Sequence, residues 1–150
     1  MQSKDFIETY LIKEVHSLLE AENFYPLMVY ATIGIETLGA IIDSKPIRAR
    51  GQSKSRFNNA LYQLFPNQYS YINKKSFLFE SLRNHASHNL IPSSKIKFIN
   101  KASNTIKHLN TNQEQILFVI NNFGLDFIIA CEKAIELLEN GNVKSKNIAI

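Results

Sequence analysis

Apolar positions recur every three to four residues through most of this chain. Ile7, Leu11, Val15, Leu18 and Leu19 follow that spacing with Glu and Lys between them, which predicts a helix over about 4–22. Asn23 is a capping residue type and Pro26 falls where a first turn tolerates it, so a second helix is expected to run to about 43. That stretch is apolar on most of its surface and reads as the central helix, with Ala31, Gly34 and Gly39 small enough for close packing. Residues 44–52, with Pro46 and Gly51, read as a basic loop. Ser53 begins a short third helix ending near Phe65-Pro66, and a fourth covers about 69–88 before Asn89 and Pro92 end it. Residues 95–99 and 105–109 alternate polar with apolar around a turn-like Asn100–Asn104, which predicts a two-stranded hairpin. Thr111 and Glu114 form a capping box that opens a long last helix, closed after Asn140 by Gly141. Gly124 inside that helix costs about 1 kcal/mol relative to Ala. Residues 142–150 carry no pattern and read as a loose tail. The expectation is an all-α, up-and-down bundle of about five helices with a small β-hairpin insert before the last helix.

Length and composition narrow the class. One domain spanning 1–150, 45% hydrophobic and 11% aromatic, is long enough for a core and too apolar for disorder. The single cysteine, Cys131, excludes an internal disulfide and reads as a buried small hydrophobe. No charged-then-apolar leader pattern opens the chain, and no uninterrupted apolar run reaches the ~18 residues of a membrane span. Phe24–Ile42 comes nearest, interrupted by Glu36 and Thr37. A cytoplasmic protein without a membrane partner is expected.

Charge is unevenly spread. The net charge is +4, but residues 44–113 carry twelve Lys/Arg against one acid, Glu80, while the flanking segments are acidic. Such a middle segment suits a polyanion. Lys45, Arg48, Arg50, Lys54 and Arg56 are the residues placed to follow a nucleic-acid backbone. Tyr69 and Tyr71 either stack bases or pack at the start of the fourth helix.

The chemistry concentrates in Arg83-Asn84-His85-Ala86-Ser87-His88. Arginine holds a phosphate through parallel hydrogen bonds and histidine moves a proton near neutral pH. At 100° per residue, Leu78, Phe79, Leu82, Ala86 and Leu90 form a core stripe. Glu80, Arg83, Asn84, Ser87 and His88 fall on the other side, with Arg83 and His88 about 140° apart around a shared centre. Glu80 is spaced to brace Arg83, and Asn84 to orient His88. Phe77 on the same face suits contact with a second copy, which would gather two Arg83 and two His88 around one groove.

Arginine, a polar residue, then histidine after four intervening positions resembles the motif of the HEPN superfamily, the higher eukaryotes and prokaryotes nucleotide-binding domains. The surrounding helical pattern is similar over about 5–140. The resemblance implies a metal-independent endoribonuclease without a cofactor, acting as a homodimer with paired motifs. It also implies a setting in toxin–antitoxin or antiviral defence, with an antitoxin or nucleotidyltransferase partner. Carried over by position, Arg83 and His88 become the catalytic pair and Asn84 the supporting polar residue. Glu80, Ser87 and His85 are secondary. His88 would act as general acid or base and Arg83 would stabilise phosphoryl charge, giving a 2′,3′-cyclic phosphate. Two other readings remain: an inactive dimeric module that binds a nucleotide, RNA or protein, and a metal site joining His85 and His88 to His16 or Glu36.

Overall fold

The computed structural model describes residues 1–91 and 93–149. The chain is mostly helical with a small sheet before the last helix. Helix α1 runs through Ser3–Phe6, a π-helical stretch over Ile7–Ile12, and Lys13–Glu20. Helix α2 is Phe24–Ile42, α3 is Ser53–Leu64 and α4 is Asn67–Ile72. Helix α5 contains a π-helical stretch, Phe79–Asn84, that continues into His85–Asn89. Helix α6 is Ile120–Glu139.

Helix α2 is central, as its nearly all-apolar surface requires, and it packs against α3 and α6. By length and composition it could cross a bilayer despite Glu36 and Thr37, but most of it is buried inside this fold. Its two glycines permit close approach. A Cβ on Gly39 would strike the backbone carbonyl of Arg56 in α3, and one on Gly34 would strike the ring of Phe127 in α6. Asn23 precedes the helix without capping it through its side chain. Phe57, Leu61, Tyr69, Phe118, Phe123 and Phe127 are fully buried in one continuous core with α2, and Cys131 is buried in the same core, its thiol pushed up by burial.

Three expectations are corrected. First, 105–109 is not a strand. Strand β1 (Ile96–Ile99) pairs in parallel with β3 (Gln115–Val119), and β2 (Thr111–Asn112) pairs with β3 in antiparallel, giving the order β1-β3-β2. Gln113 and Glu114 both adopt positive φ (46° and 68°), so they form the tight turn between β2 and β3 rather than a capping box. The last helix therefore starts at Ile120. The run Ile-Leu-Phe-Val before it, rich in β-formers, goes to the sheet.

Second, the predicted fourth helix is broken at 73–76, where Lys75 and Ser76 have positive φ. The Asn73 side chain restarts it: its Oδ1 accepts from the backbone N–H of Leu78 at 2.8 Å and of Phe79 at 3.4 Å. Asn58 in α3 holds that amide in place and also donates to Ser76. At the other end, helix α5 stops at Leu90, which takes a left-handed conformation (φ 57°) and is 54% exposed rather than part of the core stripe. Pro92, expected to help end it, lies outside the described residues.

Third, the tail is anchored through residue 149. Asn147 bridges to Gln2, and Ile148 is buried with its N–H on the Met1 carbonyl. The Lys146 ammonium donates to Asp43 Oδ1 and to the carbonyls of Ala40 and Lys45, so its three donors all have partners.

Candidate functional site

The π-helical stretch of α5 carries Phe79–Asn84, and such stretches recur at functional sites because the wider turn re-aims the side chains that follow. Leu78, Phe79, Leu82 and Ala86 are buried against the bundle. Phe77 is half-buried against the core instead of standing on the polar face. Arg83, Asn84 and His85 are half-buried, and Ser87 and His88 are exposed.

Arg83 crosses to α2. Its Nε and Nη2 reach Glu36 Oε2 at 2.8 and 2.6 Å, with the two side chains only 20% and 23% exposed. Its guanidinium also stands 5.5 Å from the Phe79 ring centroid. Among the described residues the Nη1 edge has only long contacts, 3.4 Å each, to Asn84 Oδ1 and Ser87 Oγ. Glu36, which the sequence reading placed only in a metal site, is thus the carboxylate that braces Arg83. Glu80 instead accepts from Lys54 at 3.0 Å and from Asn84 at 2.8 Å, and the Lys54 ammonium helps hold its carboxyl below the usual range. Asn84 accordingly bridges Glu80 and Arg83 and does not orient His88. Neither His85 nor His88 makes a hydrogen bond or ion pair among the described residues.

Beneath Arg83 lies a recess of about 280 Å³ that also touches Glu36, Arg56, Ile47 and Ile148. Through Phe6, Ile33 and Thr37 it adjoins an apolar groove of about 560 Å³ lined by Tyr25, Val29 and Leu90. Tyr25, Ile33, Leu90 and Ile91 are all exposed there or beside it.

The basic loop divides. Arg56 is 5% exposed and is not a surface contact: its Nε donates to Asp43 Oδ2, and its two terminal nitrogens to the carbonyls of Pro46 and Ile47, each at 2.7 Å. Burial alone would raise the Asp43 carboxyl, but the hydrogen bonds from Arg56 and Lys146 outweigh it and hold it below the usual range. Lys45, Arg48, Arg50 and Lys54 remain exposed, with Lys45 bonded to Gln52 and Arg48 reaching the Ala149 carbonyl. The metal arrangement is not assembled: among the described residues no three His, Cys, Asp or Glu side chains converge.

A second polar cluster had no signature in the sequence. The N–H of Val119 donates to His108 Nδ1 at 2.9 Å, so the ring proton sits on Nε2, which donates to Tyr69 Oη at 2.7 Å. Tyr69 in turn donates to Asp126 Oδ2 at 2.8 Å. Burial lowers His108 to about 4 and raises both Tyr69 and Asp126. The chain joins the sheet insert to α4 and α6. Of the two tyrosines expected near the motif helix, Tyr69 is therefore core and Tyr71 is surface.

Comparison with protein-family models, with curated proteins and with solved structures returned no match to this chain.

Proposed function

We propose that this chain is a metal-independent endoribonuclease of the HEPN type that works as a homodimer through the Arg83–His88 face. The observation that carries the reading is the bracing of Arg83. Glu36 grips one edge of the guanidinium and fixes its orientation. The opposite Nη1 edge is left with weak contacts, next to Ser87 and one residue from His88. An arginine held this way loses little freedom on meeting a phosphate, which favours transition-state charge stabilisation. His88, exposed and without a partner among the described residues, is available to move the ribose 2′-hydroxyl proton or to protonate the leaving oxygen. The adjoining apolar groove suits a second copy, which would bring a second motif to the same face.

The test is RNA cleavage in excess EDTA by wild type and His88→Ala. Cleavage by wild type to 2′,3′-cyclic phosphate ends, with DNA left intact and the variant inactive, is the expected result. Equal cleavage by both removes the assignment. One observation favours a second reading, an inactive binding module for a nucleotide, RNA or protein: within one protomer Arg83 shares no hydrogen bond with His88. Retention of RNA without any cleavage would support that reading. A restraining antitoxin or nucleotidyltransferase partner belongs to either reading.

A further inference from the structure

The loop around His108 and helix α4 enclose a cleft of about 370 Å³ that shares no lining residue with the Arg83 recess. Four features of it bear on a ligand. Tyr71 is 72% exposed, and the Lys74 ammonium lies 4.0 Å from its ring centroid. Asn67, Gln68 and Asn110 line the cleft, and their side chains make no hydrogen bond within the protein among the described residues. Lys74, beside the Tyr71 ring, and Lys107, next to His108 in the chain, are exposed and have no carboxylate partner among the described residues. Leu109 holds a left-handed conformation (φ 63°) with its N–H on the Leu117 carbonyl, and the Asn110 carbonyl accepts from Leu117. A left-handed conformation is costly for a bulky side chain, and the residues that follow it, Asn110 and Thr111, line the cleft.

We propose that this cleft is a base-binding subsite for single-stranded RNA, with Tyr71 as the stacking platform and the Asn67, Gln68 and Asn110 amides reading the base edge. A flat aromatic surface, amides able both to donate and to accept, and flanking cations together match an unstacked nucleotide. An acidic peptide would need the cations alone. His108 is itself part of the cleft lining, and its hydrogen bond to the buried Tyr69, which donates on to Asp126, ties that wall to the core. The choice of RNA as ligand rests on the nuclease reading; the geometry of the cleft does not.

The experiment is fluorescence anisotropy with a labelled, fully 2′-O-methylated single strand of about 12 nucleotides, which cannot be cut. Tyr71→Ala is expected to weaken binding roughly tenfold and Tyr71→Phe to leave it unchanged. Lys74→Gln with Lys107→Gln should lower the slope of log affinity against log salt by about 1.4. Tyr62→Ala, at an exposed tyrosine outside the cleft, should bind like wild type. Failure of wild type to bind overturns the subsite, as does binding by Tyr71→Ala and the double lysine variant within about twofold of wild type. If His88→Ala still cuts RNA while Tyr71→Ala loses binding, the nuclease reading falls and the subsite stands.

Discussion

Single residues here separate into those that hold the fold and those that face solvent, and similar side chains fall on both sides. Arg56 and Arg48 stand eight positions apart in one basic segment, yet Arg56 is sealed against Asp43 and two carbonyls while Arg48 is exposed. Arg56→Met leaves the Asp43 carboxylate with Lys146 and the Lys45 N–H, and two carbonyls without their donor. It is expected to destabilise the chain by about 3–5 kcal/mol in urea titrations, whereas Arg48→Gln should stay within about 0.5 kcal/mol of wild type. Glu36 acts on the candidate site through Arg83. Glu36→Gln keeps the shape and removes the charge that orients the guanidinium, so single-turnover RNA cleavage should fall at least about tenfold with the circular dichroism spectrum unchanged. Full activity in that variant would remove Glu36 from the site.

Between elements, two joints decide the geometry. The crossing of α2 and α3 depends on Gly39, because its Cα faces the Arg56 carbonyl with no room for a methyl group. Gly39→Ala should force the helices apart at a cost of about 1–3 kcal/mol, read as a lower melting temperature, despite the better helix propensity of Ala. The other joint is the Val119–His108–Tyr69–Asp126 chain. His108 is held neutral with its pKa lowered to about 4 from 6.5, so the unfolded chain binds the proton first as pH falls. Its contribution is complete above about 6.5 and is lost toward 4, at up to about 1.4 kcal/mol per pH unit. Asp126 is shifted upward by burial and works with the opposite sign at the acid end of that window. Urea midpoints measured between pH 7 and 4.5 should fall with acid in wild type and flatten in His108→Gln.

For the molecule as a whole, what matters is which surface is left uncovered. The apolar groove of α1 and α2 adjoins the Arg83 recess, and Tyr25, Ile33 and Leu90 are exposed along it. On the homodimer reading, sedimentation velocity should find wild type as two copies and Ile33→Glu as one, and the variant should lose RNA cleavage while keeping its melting temperature. A wild type that stays monomeric at micromolar concentration would argue against pairing through this face. The charge imbalance of the middle segment is also redistributed at this scale. Part of it is neutralised by carboxylates of the flanking segment, Arg56 by Asp43 and Arg83 by Glu36 in shielded pairs and Lys101 by Glu22 at the surface, so the outward positive field is weaker than the count of lysines and arginines suggests.

Periodicity alone was enough to locate the α2 core helix, the helical character of the chain, the break near 44–52 and the polar face from Glu80 to His88. Those features follow from local spacing, since burial of an apolar stripe requires it wherever the neighbours lie. Long-range partners were not legible. Glu36 and Arg83 are 47 positions apart and meet because α2 and α5 pack together. The parallel pairing of β1 with β3, the turn at Gln113-Glu114 without glycine or asparagine, and the anchoring of the tail by Lys146 all depend on partners supplied by packing. Asn73 and Lys75 broke a helix that spacing continued, because Asn58 offers the amide a better arrangement than the next helical turn does. Local pattern reports which face a residue prefers; which carboxylate, carbonyl or ring meets it there depends on segments that only the folded chain brings within reach.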